Sequence, residues 1–176
     1  MMTLSSTTHS AKIDTVTVEY AARRKYRLSH EHSKIFDLLD AVYDPELTGV
    51  SLWDLGVLQN VSQQDTQWLV TISPTYSGCP AIDIMIEDIK ICLANAGIKS
   101  VKVESQLSPA WTTDWVSPAG KTAMISQGIA ACESQVICPQ CHSQHVSRLS
   151  QFGSTACKAL YRCLDCLESF DYFKPL

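Results

Sequence analysis

The chain has 176 residues, 45% of them hydrophobic, which supports one sound core plus a small satellite module rather than two full-sized domains. Its 14 basic side chains are outnumbered by 18 acidic ones, giving a net charge of −4, so neither nucleic acid nor an anionic membrane surface is the expected partner. No apolar run is long enough to cross a bilayer.

Residues 1–28 combine Ser/Thr-rich sequence with a basic patch, Arg23-Arg24-Lys25-Tyr26-Arg27, and have few apolar anchors, which predicts a mobile N-terminal arm. They lack the basic-then-apolar pattern of a secretory signal, so a cytoplasmic location is expected. In a reducing compartment the eight cysteines point to metal ligands and functional thiols rather than a disulfide framework. An α/β domain is expected over residues 29–132. Its first helix starts near Ser29 as N-cap, carries Ile35, Leu38, Leu39 and Val42 on one stripe, and ends at the turn Asp44-Pro45-Glu46. His30 and His32 fall in its first turn as ordinary exposed histidines. Residues 50–61 read as a loop entering a strand, and Gln63-Gln64-Asp65 as a polar turn into the strand 68–73, giving an antiparallel hairpin.

The stretch Pro74-Thr75-Tyr76-Ser77-Gly78-Cys79-Pro80-Ala81 joins this strand to a helix marked by Ile82, Met85, Ile86, Ile89 and Leu93, with Gly97 as its stop. Gly78 permits a tight turn and Pro80 suits the first helical position, which places Cys79 at the N-cap. Unpaired N–H groups and the dipole there would lower a thiol pKa and favour a thiolate or a metal-bound sulfur. The same local sequence equally suits a small, buried capping residue. Asp83, Glu87 and Lys90 form the polar side of the helix, and Cys92 packs in the core.

Val101, Val103 and Leu107 alternate with polar residues as in a half-buried strand, and a right-handed crossover makes this strand parallel to its predecessor. The fold class is therefore α+β, a small mixed sheet with helices on one face, followed by a C-terminal four-cysteine zinc ribbon. The loop 107–115 leaves the sheet at the end that carries Cys79, where ligand sites gather. Trp111 and Trp115 either wall a pocket beside Cys79 or lie as aromatic lids over the core. A short helix over 121–131 closes the domain, and Cys132 falls in the linker with no special role.

Residues 133–176 hold two C-x-x-C pairs, Cys138/Cys141 and Cys163/Cys166, with 21 residues between them, the interval of a ribbon-type metal site. A segment of about forty residues is too small to fold by core burial alone, so the metal supplies folding energy. Zinc is favoured because closed four-cysteine zinc sites are common, while a rubredoxin-like iron centre satisfies the same spacing. Cys157, His142 and His145 are surplus to four-coordination and read as packing residues. Phe170, Tyr172 and Phe173 pack the ribbon or a partner surface.

Taken together, Asp44-Pro45-Glu46, Asp54-Leu55-Gly56, Ser77-Gly78-Cys79-Pro80 and Pro109-Ala110-Trp111 resemble the small domain of iron–sulfur cluster assembly and carrier proteins. The ribbon sequence of residues 152–163 and the ending Phe170-Asp171-Tyr172-Phe173-Lys174-Pro175 narrow the likeness to the D-component family of bacterial phenylacetyl-CoA epoxidase systems. That resemblance implies a place in aerobic phenylacetate catabolism, where a diiron oxygenase takes electrons from an iron–sulfur flavoprotein reductase. The chain shows no Glu-x-x-His pairs for a diiron site, no Gly-rich nucleotide loop and no plant-type ferredoxin spacing. The resemblance thus implies an accessory maturation factor, with a stoichiometric structural or docking subunit as the alternative. It implies that Cys79 transiently binds iron or an iron–sulfur cluster while Asp44, Glu46 and Trp111 shape the site. The remaining ligands would come from a second copy in a homodimer, a small thiol or the client. The implied partners are the reductase or oxygenase subunits and the iron–sulfur assembly machinery. A thiol enzyme with Cys79 as nucleophile lacks a visible histidine base in this domain.

Overall fold

The computed structural model of the protein describes residues 16–131 and 135–175, so Cys132 and residues 1–15 of the expected arm lie outside the described residues. Strand β1 (Leu58–Gln64) and strand β2 (Gln67–Ile72) form the expected antiparallel hairpin, closed at Asp65, whose φ of 53° lies in the left-handed region. Helix α3 (Ile82–Asn95) follows, and strand β3 (Val101–Ser105) returns parallel to β2, giving the order β1-β2-β3. Met85, Ile89 and Leu93 of α3 are buried with Val61, Val70 and Ile72 of the hairpin. Gly97, at φ +86°, ends α3: its N–H donates to Ala94 while Ile98 N–H donates to Leu93, the paired bonds of a Schellman cap. Leu107 lies beyond β3 and is exposed, so the half-buried alternation stops two residues short of it.

The expected arm needs correction over its described part. Residues Val18–Ser29 form helix α1, N-capped by Thr17, whose hydroxyl accepts from Tyr20 N–H at 3.1 Å. None of the residues of α1 is buried, so an apolar stripe is missing from the sequence for a physical reason: the helix is attached by cations. The Arg23 guanidinium sits 4.4 Å from the Trp53 ring centroid and donates to the carbonyls of Trp115 at 2.9 Å and Leu58 at 2.8 Å. Burial pulls its pKa down to about 10, which leaves it charged at neutral pH. Arg27 pairs with Asp37 and Asp40.

Ser29 closes α1, its hydroxyl donating back to Lys25 and Tyr26 carbonyls, rather than opening the next helix. Helix α2 (Ser33–Leu39) begins after His32 and buries Ile35, Phe36 and Leu39, whereas Leu38 is exposed. The two histidines are half-buried in ring contacts, His30 on Phe36 at 5.4 Å and His32 on Trp68 at 4.9 Å. Helix α4 (Pro118–Ser126) starts earlier than the expected 121–131 because Ser117 caps it, accepting from Gly120 N–H at 2.8 Å, with Pro118 in the first turn.

Strands β4 (Val146–Ser150), β5 (Lys158–Cys163) and β6 (Ser169–Phe173) make a separate antiparallel sheet. Its small core contains Ala159, Phe170 and Tyr172, but Phe173 and Cys157 are buried in the core of the first domain. Ala130 donates to Asp171 and accepts from Phe173, stitching the segment after α4 to β6. Substituting Arg23→Ala should remove a charged donor from two carbonyls and cost about 2–3 kcal/mol, read as a lower urea midpoint with circular dichroism. Arg23→Lys should recover less than half of that loss, because an ammonium cannot serve both carbonyls and stack on an indole.

Candidate functional site

The motif loops organise the site before any chemistry enters. Asp54 accepts from Ser51 Oγ at 2.8 Å and from Ser117 Oγ at 2.5 Å, while its carbonyl takes the Ser117 N–H, so one carboxylate ties the strand-entry loop to the start of α4. Gly56 has φ +82°, and a Cβ there would stand 2.7 Å from Trp115 Cβ, so only glycine fits. Asp44 is buried, its Oδ1 accepting from Glu46 N–H at 2.8 Å, and this fixes the turn that carries Glu46 to the surface.

Cys79 lies in the turn between β2 and α3, half-buried. It is not the N-cap: Ala81 holds that position, and the Cys79 carbonyl accepts from Ile82 N–H. The expected lowering of its thiol pKa is reversed in direction. Burial pushes it up, the Ala81 N–H opposes this, and the charges of Asp44, Glu46 and Cys157 push it further up. Desolvation and neighbouring anions outweigh a helix end that the sulfur does not directly cap. Burial likewise holds the Asp44 carboxyl above the usual carboxylate range. The structure therefore brings Cys79, Asp44 and Glu46 within electrostatic reach of one another.

Trp111 stands elsewhere than on an open wall. Its indole is buried, Nε1 donates to Leu55 carbonyl at 3.1 Å, and its ring meets Phe173 edge-on at 5.8 Å. Of the alternatives, the lid over the core holds for it. Trp115 packs against the core under Arg23. A groove of about 760 Å³ lies between the Asp44 turn and α3, lined by Tyr43, Pro45, Thr48, Asp88, Ile91 and Cys92 among others, and Cys79 does not line it. Cys92 packs against the core and approaches the Leu38 carbonyl at 3.3 Å.

Two residues escape sequence reasoning. Cys157 reaches the neighbourhood of Cys79 from the other domain. Ser73, just past β2, is fully buried with its hydroxyl unpaired. Neither carries a local signal, since one follows no ligand spacing and the other is an ordinary serine at a strand end.

The four remaining predicted ligands converge. The sulfurs of Cys138, Cys141, Cys163 and Cys166 all lie within 4.8 Å of one another, with Cys138–Cys166 at 3.7 Å and Cys141–Cys163 at 3.5 Å. Tetrahedral metal–sulfur bonds of about 2.3 Å require sulfurs about 3.8 Å apart, so the donor set fits such an ion. Each knuckle is built alike. The residue after its second cysteine, His142 or Leu167, takes a left-handed φ of 60° or 67°. The N–H of its first cysteine then bonds to Ser143 or Glu168 carbonyl. N–H groups of Cys166 and Asp165 hold the Cys163 thiol well below its ordinary range. His145 and Ser143 contact the Asp165 carboxylate, bracing one knuckle against the other, so His145 acts outside the donor set.

Comparison with known proteins agrees with this geometry. Residues 32–105 match a family model described as iron–sulfur cluster assembly protein, and residues 122–174 match one described as PaaD zinc beta ribbon domain. The fold and its four-sulfur centre thus define an iron–sulfur assembly domain joined to a zinc-ribbon domain. The D component of 1,2-phenylacetyl-CoA epoxidase from Escherichia coli (strain K12) is 43% identical over 150 residues, covering 80% of this chain and 91% of its own length. The chain belongs to this family of epoxidase D components. An Fe-S protein maturation auxiliary factor of Porphyromonas gingivalis (strain ATCC BAA-308 / W83) is 36% identical over 96 residues, 53% of this chain and 88% of its own. A crystal structure of a domain of unknown function, DUF59, from Bacillus anthracis is 25% identical, covers 61% of this chain and 96% of its own, and superposes with a TM-score of 0.47.

Two stability experiments follow from these environments. Cys138→Ser, or chelation of the wild type, should abolish metal binding and the near-ultraviolet circular dichroism of the ribbon aromatics, checked by metal analysis and spectroscopy. Ser73→Ala should be neutral or stabilising by about 1 kcal/mol in urea denaturation, because it removes a buried hydroxyl that bonds to nothing.

Proposed function

We propose that the protein is an accessory maturation factor of the phenylacetyl-CoA epoxidase system, receiving iron or an iron–sulfur cluster at Cys79 and passing it to the reductase or oxygenase. The observation that carries this reading is a half-buried thiol in the β2–α3 turn under the charges of Asp44 and Glu46. The family supports it, since a relative 36% identical is named a maturation auxiliary factor for iron–sulfur proteins.

The electrostatics suit transient rather than permanent holding. A raised thiol pKa means that the unloaded site is protonated near neutral pH, and a divalent cation must displace that proton to bind. Release is then assisted by the proton's return. Asp44 and Glu46 draw a cation toward the turn while making a bare thiolate costly. Trp111 contributes by position, holding Phe173 and with it the ribbon. The ribbon centre serves as permanent scaffolding, with zinc as its metal, and its four thiolates leave no coordination position open. Partners beyond the client protein are the assembly machinery that loads Cys79 and a second copy of the chain, either of which can complete the donor set.

Exposed Leu149, Phe152 and Leu167 on the ribbon favour a second reading, a stoichiometric docking subunit of the oxygenase. Isolation at a fixed ratio with the oxygenase through gel filtration would support that reading and a transient encounter would not. For the delivery reading, reductase and oxygenase purified from cells lacking this protein should carry substoichiometric cluster or iron. Cys79→Ser should reproduce the defect without a change in melting temperature. Full metal complements in both clients would end the delivery reading.

A further inference from the structure

A single thiolate leaves most of a metal's coordination sphere unfilled, and the fold supplies a second sulfur close by. Cys157 belongs to the ribbon but not to its four-sulfur centre. It is 7% exposed and buried in the first domain's core, the cluster against which Cys79 also packs. Its carbonyl accepts from Lys174 N–H, and its Sγ lies 3.0 Å from Thr155 Oγ1. Cys79 feels the charges of Asp44, Glu46 and Cys157, and Tyr76, three residues before Cys79, feels Cys79, Cys157 and Glu46. Three segments remote in sequence therefore meet: the turn of Asp44 and Glu46, the turn of Tyr76 and Cys79, and the entry to β5 at Cys157.

We infer that Cys157 is the second thiolate of the Cys79 cargo site, so that a divalent transition-metal cation is held by one sulfur from each domain with Asp44 and Glu46 beside them. This rests on the reading of Cys79 as the cargo residue. Two sulfurs next to carboxylates select a borderline cation such as ferrous iron over magnesium or calcium, which prefer oxygen donors alone. Burial opposes ionisation of Cys157, but the Thr155 hydroxyl and the Lys158 ammonium favour its thiolate. Lys158 is itself buried, with its ammonium 3.8 Å from Asp171 Oδ2. Binding is a proton exchange without redox change: the cation forms two metal–sulfur bonds as two S–H bonds break, and both protons pass to solvent.

The test uses the full-length protein with its ribbon loaded with zinc, titrated anaerobically with cobalt(II). Sulfur-to-cobalt charge-transfer absorption reports the number of thiolates bound, and zinc analysis confirms that the ribbon ion stays in place. Cys157→Ser and Cys79→Ser should each halve the charge-transfer intensity and weaken cobalt binding by at least about tenfold. A Cys157→Ser protein indistinguishable from wild type, beside a defective Cys79→Ser, overturns the second-thiolate inference and leaves the delivery reading intact. An unaffected Cys79→Ser removes the delivery reading itself. Should Cys157→Ser fail to fold, the wild type still decides: close to two protons released per cobalt supports the pair, and close to one overturns it.

Discussion

The burial of Phe173 against Trp111 is the contact on which the rest of the structure depends. Phe173 is the last residue of β6, only seven residues from the metal-ligating Cys166, yet it is fully enclosed in the core of the assembly domain. Trp111 can receive it because its Nε1 is already satisfied by the Leu55 carbonyl, leaving the ring free for apolar packing. The ribbon is consequently an extension of one core. The ion that orders the four sulfurs fixes the direction of β6, β6 seats Phe173, and the same strand pairing holds Cys157 at the entry to β5.

The sulfur groups of the protein are thereby divided by environment. At the ribbon centre, backbone N–H groups aim at sulfur and four thiols stand at bonding distance for one ion, an arrangement suited to permanent retention. Around Cys79 and Cys157, burial and carboxylates favour the protonated thiol, so a metal there competes with protons and is held less firmly. A delivery protein requires both behaviours, one to define its shape and the other to let cargo go.

Asp54, Gly56 and Arg23 supply the frame. The Asp54 carboxylate joins Ser51 and Ser117, Gly56 admits the Trp115 backbone, and Arg23 caps the Trp115 and Leu58 carbonyls from α1. These three residues fix the two loops that flank the aromatic pair, while the charges that act on Cys79 come from Asp44, Glu46 and Cys157 instead. Motif residues shared with a family thus divide into those that hold geometry and those that face cargo.

Local patterns in the chain are sufficient for the hairpin, the crossover to a parallel strand and the four-sulfur knot, because alternation, helical spacing and C-x-x-C intervals each operate within a few residues of one another. Glycine at 97 likewise announces the end of α3. Helix α1 is hidden from such patterns because its attachment is cationic, made to carbonyls and an indole from 30 to 92 residues away. The state of the Cys79 thiol is misread from sequence because a dipole can be inferred from neighbouring residues, whereas burial and the approach of Asp44 and Cys157 cannot. Only the folded chain brings Cys157 across from the second domain, since that proximity is produced by Phe173 entering a core whose residues lie far from it in sequence.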